Sequence, residues 1–411
     1  MHEHVETLPP PASLAESSKK AGRGLVFILG ALTVIGPFAI DMYLPALPQI
    51  GRELAVDVGR VQLTLSIFLF GIAVGQAFLG PVVDRWGRRA PLLIGLTVFS
   101  GAAIGCAQAH SMTTLLSWRL LMALGASASM VVPRAVVRDL FNERDSAKMY
   151  SLLMLILGVS PIFAPSVGGQ LIGLTGWRGI FWVLAALGVG CGVAVATVMP
   201  DSSPQSRVRK GGVMLALKTY GRLLKDRRFL GAVLVAGFMV GTIFTYLTGS
   251  AFVLIELHGL TPQQYAIAFG FNGAGLIIAS QINRWLLARY PVRSVVAAGL
   301  VVGVAVGLAL LVTSALHWGG LYVLMGLLFL NLSVAGLIMP NIAAIAMAPF
   351  GEVAGSASAL LGTVQFGVGS AAGALVGFFH NGTAIPMTAG IFACAVASFT
   401  VWRTLAREKQ I

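Results

Sequence analysis

Ten residues, Gly80-Pro81-Val82-Val83-Asp84-Arg85-Trp86-Gly87-Arg88-Arg89, form a short charged hinge between two apolar runs, 61–81 and 90–109. Each run has the roughly 20 residues that a helix needs to cross a bilayer. A charged turn between two such runs must sit at a membrane surface, with both helices leaving it on the same side. Gly80 and Gly87 let the backbone turn tightly. The three arginines mark this surface as the cytoplasmic one.

The rest of the chain repeats the pattern. Of its 411 residues 57% are hydrophobic and 10% charged, where a soluble domain is roughly one quarter charged. Fifty glycines suit helices that associate through small residues rather than through expulsion from water. Twelve apolar spans are predicted: 25–48, 60–82, 90–109, 114–136, 148–174, 178–199, 229–256, 264–287, 294–315, 319–343, 354–379 and 384–405. The expected fold is an all-α membrane protein of two six-helix bundles around a central cavity. Its parts are a disordered cytoplasmic tail (1–23), a first bundle (24–200), a basic linker (201–228), a second bundle (229–405) and a short cytoplasmic tail (406–411).

Charge tests this count. With both termini in the cytoplasm, 24 of the 28 Lys and Arg residues fall on the cytoplasmic side and Arg52, Arg60 and Arg178 on the other, with Arg119 inside the membrane. That asymmetry is the positive-inside signature. It also removes the nucleic-acid reading of the +13 net charge, because the charge is spread over short loops instead of one face. Cys106, Cys191 and Cys394 each lie in a different apolar span and are expected to be small buried residues without a disulfide or metal. The first apolar run is too long for a cleavable signal peptide. Asp84-Arg85-Trp86 after span two returns as Asn283-Arg284-Trp285 after span eight, the echo that duplicated halves would leave.

These features resemble the major facilitator superfamily, and within it the Bcr/CflA branch of drug:proton antiporters. The hinge matches the superfamily signature Gly-x-x-x-Asp-Arg-x-Gly-Arg-Arg from Gly80 to Arg89. Asp41 through Pro48 is similar to the branch's helix 1 motif. Trp118-Arg119 through Gly125-Ala126-Ser127-Ala128 resembles its helix 4 motif, with Met122 where the family usually has Gln, and Arg134 to Asp139 follows. Gly158, Pro161, Pro165, Gly168 and Gly169 resemble the antiporter signature of helix 5, and Ala354 to Leu360 the start of helix 11. The resemblance implies alternating access, with small-molecule drugs exported in exchange for protons across a bacterial inner membrane by a monomer without a cofactor. Bicyclomycin-, sulfonamide- or phenicol-like antibiotics are the implied cargo. A proton-coupled exporter of a native metabolite, such as an amino acid or small peptide, is the alternative.

The residues carry their own chemistry. Of 15 acidic residues only Asp41 sits well inside an apolar span, and an intramembrane carboxylate usually faces protein or water and has a task. Counting 1.5 Å per residue places Asp41 and Arg119 at one depth in the outer half of the bilayer, so they are expected to approach each other. Desolvation and a neighbouring cation act oppositely on a carboxyl's proton affinity; whatever separates the pair then moves the proton. By resemblance, Asp84 caps a helix end while Arg85 and Arg88 pair with acids across the inner face, and Gly80, Gly87 and Arg89 complete this conformational gate. The helix 5 residues are expected to form a bent, tight interface with helix 8 or 11. Tyr43, Phe244, Tyr246, Asn272, Gln281, Asn331, Asn341 and Gln365 are candidate cavity residues, since a mostly apolar pocket with a few polar groups accepts varied cargo. No Gly-x4-Gly-Lys-Ser/Thr loop occurs, which argues against direct ATP drive. An enzyme would cluster His, Asp or Glu at one depth, and a receptor would carry a soluble effector domain.

Overall fold

The structure, a computed structural model, describes residues 22–140, 143–199 and 212–406; the predicted tails and the first part of the linker lie outside them. All regular structure among the described residues is helical. The main elements are α1 (Gly22–Asp41), α2 (Leu47–Glu53), α3 (Val58–Trp86), α4 (Arg89–Ala107), α5 (Met112–Leu140), α6 (Glu143–Val198), α7 (Gly212–Lys225), α8 (Arg227–Ala251), α9 (Pro262–Leu287), α10 (Val292–Ala315), α11 (Gly320–Met347), α12 (Ala354–Phe378) and α13 (Ile385–Val401). Eleven segments are long and apolar enough to cross a membrane. One of them, Leu152–Val198, holds two crossings: the backbone leaves helical geometry at Gly176 (φ 69°, ψ −176°). The chain reverses there, because Gly168 lies against Met42 near the far end of α1 while Val198 lies against Gly24 at its start. The twelve predicted spans are therefore all present.

Three details go beyond the spans. The first is not one helix: α1 stops at Asp41 and a 3-10 turn, Leu44–Ala46, leads into α2. Pro45 and Pro48 lie in the first turns of those two short helices, where a proline's missing N–H costs nothing but a longer helix could not continue through it. Span seven ends in a wide π turn, Phe252–Leu257. The linker contains α7, with Arg222 and Lys225 in its last turn and the Tyr220 hydroxyl donating to the Ala77 carbonyl of α3 at 3.2 Å.

Packing follows the halves. α3, α4 and α5 pack on one another, α1 and α4 pack on α6, and in the second half α8 meets α11, α12 and α13 while α9 and α10 pack on α11. The halves join along two seams, α3 with α12 and α6 with α9. Large apolar side chains stay on the outside, with Phe27 78% exposed, Leu174 82% and Tyr322 89%. In water such a surface would aggregate; against lipid it is the coat a membrane protein needs.

Candidate functional site

Asp41 ends α1 at the helix break and is only 6% exposed. Among the described residues it has no hydrogen bond and no ion pair. Across the halves, the carboxylate is within electrostatic range of Tyr246 on α8 and Tyr265 on α9. Tyr246 accepts a hydrogen bond from Asn272 Nδ2 at 3.0 Å and stacks on Phe269 with centroids 5.6 Å apart. The Tyr265 and Ser250 hydroxyls share a bond of 2.9 Å. Asn272 Oδ1 and, on α11, Asn331 Nδ2 are buried without partners. An interrupted helix thus brings the one acid of the span to a polar patch on the opposite half, the arrangement by which discontinuous membrane helices build ion and substrate sites.

Arg119 is elsewhere, which corrects the expected pairing. It is fully buried inside the first half. Nη1 donates to the Ala39 carbonyl at 2.9 Å and Nε to that of Thr64 at 3.5 Å. The guanidinium lies 4.2 Å from the centroid of the Phe68 ring and 4.4 Å from that of Tyr43, close enough for the ring faces to stabilise the cation. Nη2 has no partner. No hydrogen bond or ion pair links Arg119 to Asp41 among the described residues. Depth was read correctly but azimuth was not: Arg119 bonds to the carbonyl of Ala39, and residue 41, two positions on in α1, lies about 200° around the helix from it.

At the hinge, α3 ends at Trp86 and Gly87 turns the chain with φ 83°, a region that other residues enter only at a cost. Arg88, 3% exposed, donates from Nε to Asp139 Oδ2 at 2.9 Å and from Nη1 to the Val83 carbonyl at 2.6 Å. Asp139 belongs to α5, so this pair joins helices of one half and does not cross between halves. Arg89 donates to the Ala196 carbonyl of α6. Arg85 is exposed and without an ion pair among the described residues; the side chain of Asp84 lies outside them. Gly80 faces Ala359 of α12.

The helix 5 motif sits on the α6–α9 seam and against the end of α1. Gly158 faces Ile277, Pro161 faces Gly273 and Gly169 faces Pro262, all on or at the start of α9. Of the two expected partners it is therefore helix 8 that packs here. Pro165 is buried within the unbroken first part of α6. Gly168 points instead at the end of α1: a Cβ there would run into the Met42 carbonyl oxygen, next to Asp41.

The candidate cavity residues divide. Tyr246 and Asn272 belong to the buried patch described above, and Asn331 is buried on α11. Tyr43 is packed inside the first half, its hydroxyl 2.8 Å from Thr64 Oγ1. Phe244 packs 5.8 Å from Phe366 and against Gly369. Asn341 exchanges bonds of 2.7 and 3.4 Å with Asn283, tying α11 to α9. Gln281 is exposed and Gln365 half-buried. Tyr265 and Asn283 were missed, although Asn283 opens the Asn-Arg-Trp echo.

At the face opposite the hinge, Arg52 on α2 and Glu256 in the π turn are 3.8 Å apart across the two halves. Glu53 accepts from Trp177 Nε1 at 2.8 Å, Arg178 Nη1 at 2.5 Å and Gln49 Nε2 at 2.9 Å. Arg60 pairs with Asp57 at 3.8 Å.

Comparison with known proteins agrees with this architecture. The sequence profile of the Major Facilitator Superfamily matches residues 29–374. An uncharacterized MFS-type transporter of Bacillus subtilis (strain 168), YdgK, is 36% identical over 387 residues, covering 94% of this chain and 96% of its own. A bicyclomycin resistance protein homolog of Haemophilus influenzae is 29% identical over 373 residues, 91% of this chain and 94% of its own. Among solved structures, a bacterial homolog of the human lysosomal transporter Spinster, inward-facing and unoccupied, superposes with a TM-score of 0.71 over 98% of this chain and 100% of that one. At 16% identity this last similarity speaks for the fold alone. The twelve crossings, the hinge motif and the matched profile together make the chain a multi-pass membrane transporter and not an enzyme, and it belongs to the Major Facilitator Superfamily.

Proposed function

We propose that the protein is a drug:proton antiporter of the Bcr/CflA kind, exporting small, largely apolar antibiotics across a bacterial inner membrane, with both termini in the cytoplasm. The observation that carries this reading is Asp41: a buried, unpaired carboxyl at a helix break, facing tyrosines of the other half. Burial disfavours a charge, and burial here depends on the halves lying together. When they part, water reaches the carboxyl and stabilises its ionised form; when they close, the group is desolvated again. Proton loading and facing are then one equilibrium, which is the linkage antiport needs. Tyr246, Tyr265 and Asn272 offer cargo hydrogen bonds on the half opposite the carboxyl, while Phe269 supplies an apolar face. A proton crossing about 150 mV releases roughly 3.5 kcal/mol, which supports an outward gradient of two to three decades for one neutral molecule. The name of the Haemophilus relative supports drugs of the bicyclomycin class as cargo.

The test is drug susceptibility in a pump-deleted bacterial host, together with proton-driven efflux in proteoliposomes, for the wild type and Asp41→Asn. The expected outcome is a folded variant that confers no resistance and no proton-driven efflux. Wild-type proton-driven efflux by Asp41→Asn removes Asp41 from the mechanism.

A further inference from the structure

A cavity of about 180 Å³ opens at the face opposite the hinge, between the two halves and apart from the Asp41 patch. Three helix ends converge on it. Thr248, Phe252 and Glu256 line one side, spaced by four residues; the π turn that begins at Phe252 keeps the last two in line, and such turns recur at functional sites. Val58 and Gln62 of α3, again four apart, line the second side, and Arg52 of α2 stands at the mouth. The walls are mostly apolar, yet Gln62 Oε1 and Thr248 Oγ1 are buried with no hydrogen-bond partner among the described residues. Native proteins leave few such groups unpaired unless water or a ligand meets them.

Charge selects the ligand. The Glu256 side chain is 32% exposed and that of Arg52 71%, so the acid belongs to the cavity and the base to the rim. At 3.8 Å the two attract without a short hydrogen bond, which leaves the carboxylate free to accept one. The Phe252 ring, met edge-on by His380 at a centroid distance of 4.5 Å, forms part of the same wall, and aromatic faces favour cations.

We propose that this cavity is a second binding site, for a compact organic ammonium: its N–H groups donate to Glu256, its polar groups meet Thr248 and Gln62, and its apolar body lies along Val58 and Phe252. Such a ligand competes with Arg52 for Glu256, so its binding loosens the one ion pair seen joining the halves at this face among the described residues. The site does not depend on proton coupling through Asp41.

Titration calorimetry on the full chain in lipid nanodiscs tests this, with phenethylammonium as probe and 2-phenylethanol as its uncharged counterpart. Saturable binding of the cation is expected, with the alcohol at least tenfold weaker. Glu256→Gln should weaken the cation roughly tenfold or more, as for loss of a charged hydrogen-bond acceptor. Thr248→Val should weaken it by a smaller factor, and Val58→Trp, which fills the cavity without touching a charge, should abolish binding. Arg52→Ala should leave affinity equal or tighter, because it removes the competitor; weaker binding would mean that Arg52 supports the ligand instead of competing with it for Glu256, and would overturn the proposal. Asp41→Asn should leave binding unchanged, whereas loss in that variant alone would place the probe in the central patch and also overturn it. Absence of saturable binding in the wild type, or full binding in Val58→Trp, has the same consequence. Nanodiscs with and without phosphatidylethanolamine separate a lipid headgroup from a free ligand: competition by that lipid means that the ammonium is the bilayer's own, and its absence means a soluble cation. Size-exclusion profiles report whether each variant is folded.

Discussion

A guanidinium with no carboxylate beside it is an unusual thing to find fully buried, and Arg119 shows how such a group is tolerated. Two backbone carbonyls and the rings of Tyr43 and Phe68 surround it, so a planar, weakly hydrated cation is stacked and bonded at once. Lysine carries its charge as a hydrated point and does not stack in this way. Arg119→Lys should therefore cost about 2 kcal/mol of stability, whereas Arg119→Met, which removes the buried charge and keeps the volume, should be neutral or stabilising; thermal unfolding in detergent measures both, and equal tolerance of Lys would contradict the stacking account. His380 supplies a second case. Partial burial lowers its pKa from the ordinary 6.5, while Asp57 and Glu256 oppose the shift. A histidine with a lowered folded value binds fewer protons folded than unfolded, so its contribution is complete above about 6.5 and is lost as the pH falls through the lowered value. Melting temperature followed from pH 8 to 5 should drop, and His380→Gln should flatten part of that drop; an unchanged slope would rule His380 out. The sequence made the depth of Asp41 and Arg119 legible, because depth is a count of residues. It did not reveal that Arg119, from α5, meets a different face of α1 from the one that carries Asp41, because that depends on which neighbours pack there.

At the scale of the element, the break after α1 and the packing of α6 against it act together. Pro45 and Pro48 are visible in the sequence, and so is the Gly168 motif, but only the packed helices show that Gly168 holds α1 in place at its last turn. A methyl group at 168 would run into the Met42 carbonyl, a backbone group with no flexible side chain to yield, so the end of α1 must shift with Asp41 on it. Gly168→Ala is expected to reduce transport at least tenfold while leaving the fold intact, as a displacement of about 1 Å near a reacting group can. Transport equal to the wild type would show that the end of α1 has slack. The predicted spans agree with the helices to within a few residues because apolar length is a strong signal. The π turn of Phe252–Leu257 was not legible, since one widened turn leaves the hydrophobic pattern nearly unchanged. Nor was the Asn283–Asn341 pair between α9 and α11; two amides 58 positions apart announce no contact until the helices are placed.

For the whole molecule, two long seams and the Arg52–Glu256 ion pair across the halves bear on the balance between its states. The seams α3–α12 and α6–α9 act as lines about which the halves can rock, the usual means by which packed bundles exchange facings. Arg52–Glu256 lies off those lines at one rim and resists opening there. Arg52→Glu puts like charges in that position and should shift the population toward opening at this face by about 1 kcal/mol, the scale of an exposed pair. Distances between spin labels placed on α2 and on the π turn would report it, and an unchanged distribution would show that the seams alone decide. The other arginines of that rim are matched as well, Arg60 by Asp57 and Arg178 by Glu53. One mouth of the transporter is thus nearly electroneutral while the other, by the sequence, carries a surplus of cations; if the protein exports as proposed, a positively charged compound is repelled as it approaches the basic side through water but meets no such barrier at the other mouth, so cargo of that kind should be gathered from within the lipid leaflet.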